Sequence, residues 1–266
     1  MSLARILICA GSDSGGGAGI QADIKTVTAL GGYAMTAVTA LTAQNTKGVQ
    51  GIFPVEPDFI RLQMRAVLTD LGADAVKTGM LGTAPVIDAV VETLAAHAPK
   101  VALIVDPVMV AKGGASLLAN EAVAAMKARL LPRADLLTPN LPEAEVLLGT
   151  TLPDLAAMCA AAAALQRMGP RAVLLKGGHF PGATVHDVLA SADGVQVFDS
   201  GRIETRHTHG TGCTLASAIA TGLGQGMGLT DAVIRARAYV LEAIRTAPGL
   251  GHGHGPLNHG HTVRCF

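Results

Sequence analysis

The sequence predicts an α/β protein, with a doubly wound, mostly parallel central sheet and helices on both faces. Three observations point there. Short, nearly continuous apolar runs recur along the chain, as strands covered on both faces require. Helical stretches alternate with these runs. Glycine and polar residues follow the runs, where the carboxyl ends of such a sheet open onto a ligand site. At 266 residues, half of them hydrophobic, the chain suffices for a large core. No linker, repeat or charge run divides it, so residues 1–266 read as a single domain.

The first strand is Ile6-Leu7-Ile8-Cys9, followed by the glycine-rich stretch Gly15-Gly16-Gly17-Ala18-Gly19 and a helix over about 19–30. Further strands are expected at Ala75-Val76-Lys77, Val101-Ala102-Leu103-Ile104-Val105, Leu136-Leu137-Thr138 and Ala172-Val173-Leu174-Leu175-Lys176. Helical spacing marks about 57–71, 84–97, 118–130, 153–168, 212–225 and 230–246. Residues around 185–206, with Val195-Gln196-Val197-Phe198 and Arg202-Ile203-Glu204-Thr205, read as added antiparallel strands. From about 249 the chain interleaves glycine with His252, His254, His259 and His261, and is expected to be a flexible tail with adventitious metal affinity.

The strongest functional signal is His209-Gly210-Thr211-Gly212-Cys213-Thr214, running into an apolar helix. A glycine-rich turn opening a helix leaves N–H groups unpaired at the positive end of the dipole, which suits an anionic oxygen. Cys213 stands at that helix start, where a thiol's pKa tends to fall. The plainer reading is a tight turn with a small packed residue, and the hexamer alone leaves both open.

The strand ends are unusually polar. They carry Gly11-Ser12-Asp13, Thr78-Gly79-Met80, Asp106-Pro107-Val108, Pro139-Asn140-Leu141-Pro142-Glu143 and Gly177-Gly178-His179. Asn140 and Glu143 suit either a capping box or, as oxygen ligands, a hard cation such as Mg²⁺. Asp23 is either an early-helix acid favoured by the dipole or a site residue. Lys176, ending an apolar strand, either snorkels to solvent or neutralises an anion at the sheet edge.

Twenty basic and twenty acidic residues cancel, and only 3% of residues are aromatic, so the footprint of a nucleic-acid binder is missing. The four cysteines lie far apart without paired spacing, which excludes a disulfide framework and fits a reducing compartment. No signal-peptide pattern opens the chain, and the longest apolar run, Leu155 to Leu165, is too short for a bilayer, so a cytoplasmic protein is expected. Gly17-Ala18-Gly19-Ile20-Gln21-Ala22 fits a loose dinucleotide pattern, but no acidic residue ends the next strand-like run. Walker A, H-E-x-x-H and G-x-S-x-G patterns are absent.

Taken together these segments resemble the ribokinase superfamily, and within it the hydroxymethylpyrimidine/phosphomethylpyrimidine kinases of thiamine biosynthesis. The resemblance covers nearly the whole chain. It is carried by the Gly11 to Asp23 stretch, Thr42-Ala43-Gln44-Asn45-Thr46, Lys77 to Leu81, Asp106 to Met109, Thr138 to Glu143, Lys176 to His179, the glycine hexamer and Pro256-Leu257-Asn258-His259. It implies a ribokinase-like fold, ATP and Mg²⁺, a small pyrimidine substrate and a homodimer, with no nucleic acid and no membrane.

By the same resemblance Gly11, Asp23, Gln44, Met80 and Val108 line a pyrimidine pocket, with the Gln44 amide pairing with ring nitrogen and exocyclic amine. Lys176, Asn140 and Thr211 meet the nucleotide, while Glu143, Asn140 and Asp106 serve the metal. Gly210, Gly212 and Lys176 stabilise the transferred group. Cys213 takes the place of the catalytic aspartate of many sugar kinases, and is expected to ionise below the ordinary thiol value. His207 stands where the family pattern has asparagine, on the nucleotide side. Pyridoxal kinase is the second enzyme reading, because both substrates are hydroxymethyl-bearing heterocycles. A non-catalytic pyrimidine-sensing module is the reading from another class, and the intact Cys213, Gly210, Gly212, Lys176 and Glu143 argue against it.

Overall fold

The computed structural model describes residues 3–109 and 120–263. Its main sheet has eight strands, numbered in chain order and arranged β10-β9-β8-β7-β6-β5-β1-β2. β1 (Ala4–Ala10) lies between β2 (Gly32–Val38) and β5 (Ala75–Thr78), parallel to both. β6 (Ala102–Val105), β7 (Leu136–Leu137) and β8 (Ala172–Leu175) continue the parallel part. β9 (Thr184–Ser191) and β10 (Gly194–Gly201) add an antiparallel edge.

Both faces of this sheet are covered, which explains its continuous apolar strands. Alternate residues of β1 point opposite ways. Leu7 and Cys9 join a core with α2 (Pro57–Asp70), α3 (Ala84–His97), α4 (Asn120–Ala125), α5 (Leu141–Leu148) and α6 (Leu155–Gln166). Ile6, Ile8 and Ala10 join a second core with α1 (Gly19–Ala29), α7 (Thr211–Gly224) and α8 (Leu229–Arg245). Helices thus alternate with strands on both sides, as the sequence predicts.

Four differences from the expected elements stand out. The expected helix over 118–130 is α4 followed by a π turn over Met126–Leu130, and residues 118 and 119 lie outside the described residues. α5 is an additional helix, capped by Asn140. The second added strand is β10, and Arg202 to Thr205 lie beyond its end. β3 (Ala40–Asn45) and β4 (Gly48–Pro54) form a separate antiparallel hairpin standing off the main sheet.

The expected flexible tail is corrected outright. His254 N–H donates to the Thr46 carbonyl at 2.8 Å, His209 N–H to the Gly255 carbonyl at 3.1 Å, and Asn258 N–H to the Ala243 carbonyl at 3.0 Å. His259 is buried and meets the Thr214 hydroxyl at 3.0 Å. The segment is a strap that ties the hairpin tip to the start of α7. Among the described residues there is no group of three or more metal-ligating side chains, so this strap offers no such metal cluster. Nor is any described helix long and apolar enough to cross a membrane. Cys9, Cys159 and Cys213 are free thiols, and Cys265 lies outside the described residues.

Candidate active site

The chain order reverses direction across the sheet at β1, with β2 on one side and β5 on the other, and a crevice opens there at the strand ends. A cavity of about 360 Å³ occupies it. Gly11 and Met80 line it from the ends of β1 and β5, Val108 and Asp106 from β6, and Gln44 from the hairpin. Period-two alternation turns Thr42 and Gln44 toward the cavity and leaves Leu41 exposed. Asn140, Glu143, Lys176, Gly210, Thr211, Gly212 and Cys213 close the remaining wall. Every expected site residue except Asp23 therefore borders one cavity.

A second cavity of about 430 Å³ lies beyond the glycine turn, lined on its far side by Val240, Leu241 and Ile244 of α8. The two cavities share Asn140, Lys176, His179, Thr208, Thr211 and Gly212. A molecule in one and a molecule in the other would meet at that junction.

The junction is built to hold negative charge. Gly210 precedes α7 with φ of 86°, and a Cβ there would overlap the Gly17 carbonyl oxygen, so both backbone sign and space demand glycine. The N–H groups of Gly212 and Cys213, in the first turn of α7, have no acceptor among the described residues. A Cβ at Gly212 would sit 3.1 Å from Lys176 Nζ, in the space an anion would need.

Lys176 does not snorkel. Its ammonium donates to Asp106 Oδ1 at 2.8 Å, and the Thr138 hydroxyl donates to the same oxygen at 3.2 Å. Burial pulls the lysine's pKa down, but Asp106 and Glu143 outweigh it and hold the pKa above the ordinary value. Asn140 and Glu143 form the capping box of α5: Glu143 N–H donates to Asn140 Oδ1 at 2.9 Å, and Asn140 N–H to Glu143 Oε2 at 2.8 Å. The plain structural role is thus real, and it leaves Glu143 facing the cavity. Burial, with Asp106 adding to it and Lys176 opposing, pushes Glu143 up to about 7.

Two expectations are overturned. Asp23 does not line the cavity: it is fully buried beneath it, holding Lys77 Nζ at 2.9 Å from each carboxylate oxygen and accepting from the Ser217 hydroxyl at 2.7 Å. Nor is the Cys213 thiol acidic. Burial, assisted by Asp23 and Asp106 and opposed by Lys77 and the Gly19 amide, pushes it up to about 11. The helix terminus does not overcome that desolvation.

Three residues carry roles that sequence reasoning did not assign. Lys77, inside a strand buried on both faces, is the partner of Asp23. Asp13 accepts N–H bonds from Gly15, Gly17 and Ala18 at 2.8, 3.0 and 2.8 Å, which shapes the glycine loop after β1. His209 places Nε2 at 2.8 Å from Asp13 Oδ2 and 3.1 Å from the Gln44 amide. An aspartate before a run of glycines, and a lysine inside an apolar strand, were the available signals.

The chain is similar to known proteins over nearly its whole length. A family model described as phosphomethylpyrimidine kinase matches residues 13–258. The thiamine biosynthesis bifunctional protein ThiED of Geobacter sulfurreducens is 53% identical over 254 residues, covering 96% of this chain. This chain spans only 52% of that protein's length. The hydroxymethylpyrimidine/phosphomethylpyrimidine kinase of Streptomyces coelicolor is 48% identical over 256 residues, covering 96% of this chain and 94% of the relative. Among solved structures, the pyridoxal kinase of Staphylococcus aureus in complex with AMP-PCP and pyridoxal superposes with a TM-score of 0.89 at 33% identity, covering 98% of this chain and 94% of that one.

Proposed function

The chain belongs to the phosphomethylpyrimidine kinase family, and from that premise we propose that it transfers a phosphoryl group from ATP to 4-amino-5-hydroxymethyl-2-methylpyrimidine and then to its monophosphate. The observation that carries the reading is the pair of cavities meeting at the glycine turn and Lys176. The pyrimidine takes the first cavity and the nucleotide the second, with its base against Val240, Leu241 and Ile244 of α8.

Phosphoryl transfer depends on alignment and charge neutralisation more than on covalent help. The free N–H groups of α7's first turn and the Lys176 ammonium face the phosphoryl oxygens, while Thr211 and Asn140 border the phosphate path. Gln44 reads the ring's polar edge, with Met80 and Val108 as its apolar walls and Gly11 at its back. Cys213 faces the substrate hydroxyl as a protonated thiol, since a group pushed up to about 11 is not a resting thiolate. It can take the hydroxyl's proton only after passing its own to a phosphate oxygen of the bound nucleotide, so the proton ends on phosphate.

Mg²⁺ fits the donor set. Asp106 and Glu143 place two buried carboxylates beside the ammonium of Lys176, and burial, with Asp106 adding to it, pushes Glu143 up to about 7, so a further cation there would be favoured. Asn140 Oδ1 and Glu143 Oε2 are already engaged in the capping box, so these groups would hold the ion through water. When bound, the ion would neutralise charge on the bridging phosphates.

A homodimer and a cytoplasmic setting complete the proposal. The hairpin leaves the cross-strand pair Leu41 and Phe53 exposed on one face, and the free thiols fit a reducing compartment. The likeness to pyridoxal kinase favours pyridoxal as a second substrate to be tested, but relatives 47–48% identical carry the pyrimidine name. A panel of the aminopyrimidine, its monophosphate and pyridoxal with magnesium-ATP tests the reading. Higher kcat/KM for the two pyrimidines is expected, and a preference for pyridoxal would overturn it.

A further inference from the structure

We propose that His209, oriented by Asp13, is a positioning residue that fixes which way the Gln44 amide faces and thereby sets the preference for an amine-bearing ring. This rests on the pyrimidine reading above.

The argument starts from proton count. His209 Nε2 lies 2.8 Å from Asp13 Oδ2 and 3.1 Å from the Gln44 amide nitrogen as placed. A neutral imidazole nitrogen is either a donor or an acceptor. Asp13 already accepts N–H bonds from Gly15, Gly17 and Ala18 and is buried, so it stands there as a carboxylate. Burial opposes its ionisation, but the His209 and backbone hydrogen bonds outweigh that and hold its pKa low. Nε2 must therefore carry the hydrogen, which it donates to Asp13.

A donor at Nε2 cannot accept from the Gln44 NH₂ group. Turning the amide over resolves this, because amide oxygen and nitrogen are assigned from their partners. Gln44 Oε1 then faces His209, and its NH₂ group faces Thr42 Oγ1, 3.4 Å away on that side of the amide. The Thr42 hydroxyl donates its only hydrogen to the Ser12 carbonyl at 2.8 Å, so it is free to accept from Gln44. With this orientation the single Nε2 hydrogen lies between two acceptors, Asp13 Oδ2 and Gln44 Oε1, which share it, and no two donors oppose each other along Asp13, His209, Gln44, Thr42 and Ser12.

The consequence concerns the ligand. One Gln44 N–H remains for an acceptor such as a ring nitrogen, and the second lone pair of Oε1 remains for a donor such as an exocyclic amine. Without the His209 donor the amide is free to turn, and the pattern offered to the ring is lost. His209 also precedes Gly210 directly, so the group that fixes the reader is continuous with the anion-binding turn.

The test is a double-substitution cycle on the full chain, reading KM and kcat for the aminopyrimidine and for an analogue with hydrogen in place of the exocyclic amine. His209→Leu is expected to raise KM for the aminopyrimidine about tenfold and lower kcat less than about threefold, with little effect on the analogue. In a Gln44→Ala background the same change should move KM by less than about twofold, because the residue through which it acts is gone. His209→Gln, which returns an N–H near the Nε2 position, should recover most of the loss. Multiplying effects in the cycle, or no recovery with glutamine, would overturn the proposal. If the leucine variant does not fold, His209→Asn takes its place in the cycle. ¹⁵N NMR of the parent imidazole supplies an independent signature: a hydrogen on Nδ1 rather than Nε2 refutes the orientation outright. A parent that does not phosphorylate the aminopyrimidine would overturn the functional reading and this inference with it. Additivity in an active parent would overturn the inference alone.

Discussion

Breaking the Lys77–Asp23 pair separates structure from substrate contact more cleanly than any other change to this site. Both side chains are fully buried, and no water reaches either to replace a lost partner. Asp23→Leu strands an ammonium and Lys77→Met strands a carboxylate, each expected to cost about 3–5 kcal/mol. Loss of the stranded charge sets a ceiling: near pH 7, deprotonating an ordinary lysine or protonating an ordinary aspartate costs about 4 kcal/mol. For a chain of this size that is a fall in Tm of roughly 8–16 °C.

The pH dependence distinguishes the two variants. In Lys77→Met the stranded Asp23 has a folded pKa raised above its unfolded value, so stability is regained below the unfolded pKa and lost as pH rises. Relative to the parent, this variant should gain about 1.4 kcal/mol per pH unit between about 7 and 5. In Asp23→Leu the stranded Lys77 has a depressed folded pKa, and that variant should gain by the same slope between about 7 and 9. The double variant Asp23→Leu/Lys77→Met should recover most of the loss. Urea unfolding at several pH values measures all three. Like-signed pH slopes in the single variants, or a double variant no better than either, would refute the reasoning, as would a KM change for the pyrimidine larger than the loss of stability accounts for.

Two further predictions concern the charged junction. Lys176→Ala removes an ammonium facing Asp106 and Glu143, so turnover at saturating ATP should fall about 10²–10³-fold, while pyrimidine binding measured without nucleotide by calorimetry stays near the parent value; equal loss of both affinities would mean a disturbed fold. Because burial pushes the Cys213 thiol up to about 11, its alkylation by iodoacetamide in the free protein should climb about tenfold per pH unit through pH 9 and beyond; a plateau below pH 9 would show an acidic thiol instead.

The parallel strands were legible because covering both faces leaves a local trace, an unbroken apolar run such as Ala172 to Leu175. The hairpin of β3 and β4 left no such trace. Its exposed Leu41, Ile52 and Phe53 alternate poorly with polar residues, and its partner is itself rather than the main sheet. The strap after residue 249 was misread because composition carries no information about distant backbone partners. His254 N–H reaches the Thr46 carbonyl, far away in the chain, and Asn258 N–H reaches back to the Ala243 carbonyl at the end of α8. Asp23 was misplaced for a related reason: position in a helix suggested dipole or ligand, while the signal lay 54 residues away, in a lysine that an apolar strand could hold only with a partner.

Cys213 shows where local reasoning reverses sign. A helix N-terminus contributes about half an elementary charge, enough to lower a thiol's pKa where solvent is near. Here the same fold that aims the α7 N–H groups at the cavity also buries the sulfur, with Asp23 and Asp106 close enough to oppose its ionisation. Lys77 opposes them, but its attraction does not outweigh the cost of burial. The anion-binding role survives this burial, since N–H groups attract an oxyanion more strongly as water is excluded. The thiol's ionisation does not survive it, since a buried charge needs its own partner. One glycine turn therefore supports the transferred group and leaves Cys213 protonated until substrate and nucleotide change the charge around it.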